Sequence, residues 1–120
     1  MTRRVAVTGI GVIAAPGSTR AAFWESLRNG RSAIRPMKLV PEGALRFPNA
    51  AEVPDFRASD YMDEKEADLL DRFAQFALIA AREAVAGSAL SITPELKSRM
   101  AIVTGTSSGG KTSEDREFHR

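Results

Sequence analysis

The sequence predicts an α/β chain whose two buried strands run parallel. Two apolar runs, residues 5–10 and 100–104, lead into glycines, as buried strands leaving a sheet do. A long helical pattern over residues 63–86 separates them. Buried strands joined through helices should lie parallel, with a right-handed crossover.

Each element has a local cause. Residues 5–10 (Val-Ala-Val-Thr-Gly-Ile) form the first strand, and Pro16-Gly17 breaks the loop after it. Ser18 is the expected cap of a helix over 19–28, in which Ala22, Phe23 and Leu27 recur at helical spacing with Trp24 beside them. Asn29-Gly30 ends it. Residues 32–45 hold Pro36, Pro41 and Gly43 and read as irregular, and 47–53 reads as a short strand weakened by Pro48. Residues 54–62 read as a loop or a single turn. Across 63–86, Leu70, Phe73, Ala77, Ala80, Ala81 and Ala84 make one face, and Phe76 and Ile79 widen it. Such a helix is expected deep in a larger body or a subunit interface, stopped by Gly87. Thr93 caps a short turn with Pro94 at its first position. Residues 100–104 form the second strand, a glycine-serine loop follows, and a helix is expected to start in the polar tail from Lys111. A parallel sheet needs both faces covered, so the architecture begins here and is not completed.

Composition narrows the functional classes. The chain has 120 residues, one ordinary domain, and 43% hydrophobic residues supply a core. A formal charge of +2 gives no general case for nucleic-acid binding. Charge is nevertheless uneven. Arg3, Arg4, Arg20, Arg28, Arg31, Arg35 and Lys38 stand against Glu25, whereas Asp60, Asp63, Glu64, Glu66, Asp68 and Asp71 stand against Lys65. Both patches read as solvated surface. The absence of cysteine removes disulfides, thiolate metal sites and a cysteine nucleophile, and fits a reducing compartment. Arg3-Arg4 precedes only a short apolar run broken by Gly9 and Gly11, so no signal peptide is expected. No apolar stretch approaches the roughly 20 residues that cross a bilayer. A cytoplasmic location without membrane or nucleic-acid partners is expected.

Two glycine motifs invite a nucleotide reading. Gly9-Ile-Gly11-Val-Ile-Ala14 fits G-x-G-x-x-G/A after a strand. In that motif the helix begins inside the glycine run and meets a pyrophosphate. Here Pro16-Gly17 intervenes, and no acidic residue ends a second strand at the required distance. The plainer reading is a tight turn that needs glycine backbone angles. Gly105-Thr-Ser-Ser-Gly-Gly110-Lys111-Thr112 matches the P-loop at every required position, after Ala101-Ile102-Val103. Backbone amides and Lys111 would cradle phosphates, and Thr112 would reach magnesium. Against this, the residues after Thr112 offer only Phe118 for packing on a sheet, and no chain remains downstream for the acidic residue that would complete a metal site. A glycine turn that lets two backbones pass closely is the alternative.

Four segments, taken in order, resemble β-ketoacyl-acyl-carrier-protein synthases. Arg3-Arg4-Val-Ala-Val-Thr-Gly-Ile-Gly11 with Pro16-Gly17 resembles their N-terminal strand and turn. Phe23-Trp24-Glu-Ser-Leu27 through Ile34 resembles the first helix and its exit. Asp63-Glu-Lys65-Glu66 and Asp71-Arg72-Phe73-Ala-Gln75-Phe76-Ala77 resemble the long helix. Ile102-Val103-Thr-Gly105-Thr106-Ser-Ser-Gly109-Gly110 resembles the second core strand and its loop.

The resemblance implies a thiolase-like fold of five layers, α-β-α-β-α, of which residues 1–120 would be an incomplete N-terminal part of the first half, with no complete second domain. It implies a homodimer, with the long helix deep in the body, and a decarboxylative Claisen condensation for fatty-acid, polyketide or related acyl chains. A cysteine would hold the acyl group, malonyl-acyl-carrier protein would lose carbon dioxide and attack it, and two histidines would stabilise the thioester oxyanion. Those residues lie beyond the family segment seen here, and the chain holds no cysteine and one histidine, His119, in its polar tail. No catalytic residue, cofactor or metal is therefore assigned, and the 120-residue chain alone is expected to be inactive.

The family's glycine loop implies an acyl-pocket wall at Gly105, Thr106, Ser107, Ser108 and Gly109. Ser107 and Ser108 stand where many members have glycine and a bulky aliphatic residue, which implies a wider or more polar channel. The partner implied is the acidic acyl-carrier protein. Lys65 matches a basic docking residue, but Asp68 and Leu69 fall where basic residues are common, so this helix start should repel an acidic partner. Arg35 and Lys38 are the candidates to compensate. Two alternatives stay open: a non-catalytic, chain-length-factor type subunit in a ketosynthase-like heterodimer, and a small P-loop nucleotide-binding domain.

Overall fold

The computed structural model describes residues 3–41, 43, 45–53 and 55–118. Helix α1 (Arg20–Arg28) starts where a threonine, not the expected Ser18, meets a free amide. Thr19 has extended backbone and its hydroxyl accepts from the Ala22 N–H at 3.2 Å. A capping oxygen must reach the second or third helical amide, and Thr19 directly precedes the first helical residue. At the other end Asn29 is the cap and Gly30 takes left-handed backbone, as expected.

The stretch expected to be irregular folds back onto the expected third strand. Strand β1 (Arg35–Pro36) pairs antiparallel with β2 (Asn49–Ala50), placing Arg35 opposite Ala50. The Met37 N–H extends the pair by donating to the Pro48 carbonyl at 2.8 Å. The Glu52 carboxylate accepts from the Lys38 and Leu39 amides at 2.7 and 3.2 Å. Pro36 thus sits in the non-hydrogen-bonded pair, where its missing amide costs nothing, and Pro48 gives the ladder its carbonyl alone. Residues 58–60 form a single 3₁₀ turn.

The long helical pattern is two helices, α2 (Glu64–Leu69) and α3 (Arg72–Gly87). Asp63 caps the first, accepting from the Glu66 N–H, and Asp71 caps the second, accepting from the Phe73 N–H. Leu70 between them is extended. The Gln75 side-chain amide donates to the Ala67 and Leu70 carbonyls, each at 3.0 Å, so the end of α2 is satisfied by α3. Apolar periodicity runs unbroken through this junction and conceals it. Helix α3 also includes Gly87 and is capped by Ser88; the left-handed residue beyond it is Ala89. Helices α4 (Pro94–Lys97), with Thr93 as cap, and α5 (Lys111–Phe118) lie where expected.

Two anchors fix the remaining chain on α3. The first is the N-terminal segment. A Cβ on Gly9 would sit 2.0 Å from the Ala84 carbonyl oxygen, and one on Gly11 would sit 1.8 Å from that of Ala80. Neither glycine has positive φ. They are glycine because the helix backbone occupies the space a side chain needs, which corrects the tight-turn expectation. Glu83, on the same face, accepts from the Val12 N–H at 2.8 Å and the Arg20 N–H at 2.9 Å. The second anchor is Arg72, whose guanidinium lies over the Phe56 and Phe76 rings at 5.0 and 4.9 Å and donates to the Val53 carbonyl. Phe56 and Phe76 themselves meet edge to face at 4.7 Å.

Neither expected parallel strand forms among the described residues. Residues 5–10 and 101–104 are unpaired, with Val5 94%, Ile102 90% and Val103 93% exposed. A strand needs a neighbour for its amides and carbonyls, and the described residues supply none here. The crossover and the layers implied by the resemblance are accordingly not displayed. Within these residues α3 is little covered, and Ile79 is its one buried residue. The radius of gyration is 17.5 Å, against about 14 Å for a compact domain of this length. Accessible surface is 10270 Å², against about 6,300 Å² for a folded monomer of this mass.

Two outcomes follow from this surface and these anchors. The purified 120-residue chain should self-associate and show no sharp thermal transition as a monomer, which light scattering and calorimetry would check. In a full-length polypeptide, Glu83→Ala should cost on the order of 1 kcal/mol and speed proteolytic cleavage within residues 5–18. The Arg20 and Val12 amides hold the Glu83 carboxyl below its ordinary 4.5. A lowered native value stabilises above 4.5 and is lost as pH falls through it. Cleavage of wild type should therefore accelerate only below pH 4.5, and the variant should lack that acid-dependent step.

Candidate functional site

The glycine loop, residues 105–110, meets the start of α3. Inside it the Gly109 N–H donates to the Thr106 hydroxyl at 2.9 Å. A Cβ on Gly109 would lie 2.6 Å from the Phe73 ring, so the ring occupies the notch that the missing side chain leaves. The expected passage of two backbones is thus a backbone against an aromatic ring. Gly110 has φ +88°, and its carbonyl accepts from the Glu114 N–H at 2.9 Å, opening α5. The Ser113 hydroxyl then donates to Asp71 Oδ2, while Asp71 Oδ1 caps α3. The Ser113 hydroxyl above all, with the Phe73 and Ser113 amides and the nearby Arg116, holds the Asp71 carboxyl below its ordinary 3.8 against partial desolvation.

Of the five expected wall residues, Gly105, Thr106, Ser107, Ser108 and Gly109, all are exposed. Thr106 turns its hydroxyl inward, and Ser107 and Ser108 stand at the tip. An open groove of about 970 Å³ lies nearby, walled by Leu39, Val40, Leu45, Arg72 and Phe118 among others, and none of the five lines it. Lys65 is exposed in the first turn of α2, between Glu64 and Glu66. Glu66 pairs with Arg82 at 2.8 Å, leaving Lys65 beside Glu64 and Asp68, so the local balance stays negative. Leu69 is 85% exposed at the end of the same helix. Arg35 and Lys38 are exposed on the hairpin side.

The structure also weighs the two nucleotide motifs. A dinucleotide would place its pyrophosphate at the N-terminus of α1, but the Glu83 carboxylate already takes the Val12 and Arg20 amides there. At the second motif the preceding segment is not a strand, Gly109 spends its amide within the loop, and the Lys111 ammonium pairs with Glu114 at 2.6 Å. The Thr112 side chain and His119 lie outside the described residues. Among the described residues no group of acidic or histidine side chains is placed to hold a metal, and no helix is long and apolar enough to cross a membrane.

Glu83 and the capping role of Asp71 were not singled out from sequence. Asp71 carried a signal, an aspartate directly before a helical run. Glu83 carried none, because its partners are backbone amides 71 and 63 positions away.

Comparison with known proteins follows the same segments. The family model "Beta-ketoacyl synthase, N-terminal domain" matches residues 2–120. "Putative polyketide beta-ketoacyl synthase 1" of Streptomyces halstedii is 43% identical over 119 residues, 98% of this chain and 28% of that protein. 3-Oxoacyl-[acyl-carrier-protein] synthase 2 of Synechocystis sp. is 36% identical over 118 residues, 96% of this chain and 28% of that protein. The enzyme of that name from Staphylococcus aureus is 32% identical over 108 residues, 90% of this chain and 26% of that protein. The chain thus spans little more than a quarter of the length of these relatives. A ketoacyl-synthase domain implies a thiolase-like fold. Over essentially all its residues, the chain belongs to the β-ketoacyl synthase family, within that family's N-terminal domain.

Proposed function

We propose that this chain provides the N-terminal part of a 3-oxoacyl-acyl-carrier-protein synthase, which condenses an acyl thioester with malonyl-acyl-carrier protein by decarboxylative Claisen chemistry. The carrying observation is the match of residues 2–120 to the family's N-terminal domain. Here the residues are scaffold and pocket wall. The acyl-holding cysteine and the oxyanion-stabilising histidines belong to sequence not included in these residues, which contain no cysteine. In the assembled enzyme, residues 5–10 and 101–104 become strands of the layered α-β-α-β-α body; their exposed apolar side chains support that reading.

The partner is an acidic acyl-carrier protein, and the working unit is a homodimer or a ketosynthase-like heterodimer in the cytoplasm. The names of the relatives, which include a ketoacyl synthase alpha subunit for tetracenomycin in Streptomyces glaucescens, favour the condensing subunit over its non-catalytic partner. Trapping settles the choice. The full-length polypeptide incubated with acyl-carrier thioester should form a covalent acyl-cysteine adduct visible by mass spectrometry, and absence of any adduct would make it the non-catalytic subunit.

The loop and α2 each give a sharper expectation. If Ser108 walls the acyl channel, Ser108→Ile narrows it, and kcat/KM for the longest accepted primer should fall by about tenfold or more relative to a short one. Product lengths measured by chromatography should shorten accordingly. At α2, Lys65→Glu should raise KM for the carrier by about threefold at low salt, and Asp68→Lys should lower it. Both effects should fade as ionic strength rises.

A further inference from the structure

Asp71 holds both sides of the contact between the glycine loop and α3. Its Oδ1 accepts the amide of Phe73, the residue whose ring fills the Gly109 notch. Its Oδ2 accepts the hydroxyl of Ser113, in the first turn of the helix that the loop leads into. Between those fixed points the loop has little freedom. Gly109 rests on the ring, its amide is bonded to Thr106, and the Gly110 carbonyl is bonded to the Glu114 amide. Among the described residues, Ser107 and Ser108 at the tip have no hydrogen-bond partner, so their position follows from where the Asp71 carboxylate sets ring and helix.

We propose that the Asp71–Ser113 hydrogen bond, with Phe73 seated against Gly109, is a latch that positions the Ser107–Ser108 tip and thereby sets the acyl-chain length the enzyme accepts. This rests on the reading of the loop as an acyl-pocket wall. Asp71, Phe73 and Ser113 are positioning residues, acting on the tip through the loop they hold. The latch works by geometry. Ser113 offers one hydroxyl, and alanine there removes that bond to Asp71 Oδ2 while the weaker Ser113 amide contact and the α3 cap through Oδ1 are kept. The loop is then held more loosely, by Phe73 and the remaining backbone bonds.

The test uses the full-length polypeptide with Ser113→Ala, the conservative Ser113→Thr, and Ser108→Ile in parallel. Amide hydrogen exchange over residues 105–110 reads the latch without reference to chemistry. Ser113→Ala should speed exchange there by about three- to tenfold, and Ser113→Thr should restore wild-type protection. Competition between long and short acyl primers reads the consequence. The kcat/KM ratio should change by about threefold or more in Ser113→Ala and return in Ser113→Thr. Unchanged exchange in a folded Ser113→Ala protein overturns the latch, whatever the activity. Faster exchange with an unchanged primer ratio overturns its link to chain length. If in addition Ser108→Ile leaves the ratio unchanged, the pocket-wall reading itself has failed; if Ser108→Ile shifts it, only the link has. Should Ser113→Ala not fold, Phe73→Leu, which keeps the backbone cap and shrinks the ring, must loosen the same amides for the proposal to stand.

Discussion

A single carboxylate organises the first third of the chain. Glu83 projects from α3 and takes two backbone amides, one from the N-terminal segment and one from the first residue of α1. Both amides lack any other partner in regular structure, and the second belongs to the positive end of a helix. A negative group there satisfies two donors and a dipole together. The close seat that Gly9 and Gly11 make on the Ala80 and Ala84 carbonyls depends on the same geometry, because a shift of the segment would separate Glu83 from Val12. Arg72 plays the corresponding part at the other end of α3, lying over the Phe56 and Phe76 rings while donating to the Val53 carbonyl. Within these residues helix α3 is thus a rail to which separate segments are clipped by polar contacts.

What was legible in the sequence was mostly local. Thr93-Pro94, Asn29-Gly30 and the start of α5 at Lys111 were readable because a few adjacent residues determine them. The α2–α3 junction was not, because Leu70, Phe73 and Phe76 keep helical spacing across it, while Asp71 and Gln75 end one helix and start the next by polar bonds. The strands were read from apolar runs alone. Apolarity at Val5 and Ile102 shows that a side chain wants cover, and it cannot show that the strand beside it is present. The short pair that does form, Arg35–Pro36 with Asn49–Ala50, joins residues with weak strand character and owes its register to flanking bonds from Met37 and Glu52.

At the candidate site the residue types were legible and their grouping was not. The glycine loop was found by its motif, and its neighbour Phe73 by resemblance, yet nothing in the spacing placed Gly109 against that ring. Motif matching also pointed twice toward nucleotides. In both places the amides or the cation a phosphate needs were already occupied, by Glu83 at the first and by Thr106 and Glu114 at the second. A glycine pattern records where a backbone must come close to something; it does not record whether that something is a ligand or the protein itself.

The double cap between α2 and α3 has a mechanical consequence. A continuous helix transmits torsion: pushing on one end rotates the other. Here an extended residue, Leu70, interrupts the hydrogen-bond ladder, and the Gln75 amide and the Glu66–Arg82 pair tie the two rods together side by side. A load applied to the exposed surface of α2 is therefore taken up as a small swing about Leu70, leaving the turns that carry Phe73, Ala80 and Glu83 undisturbed. The exposed surface of α2 and the rail that holds the fold are separated by the two residues outside any helix, Leu70 and Asp71.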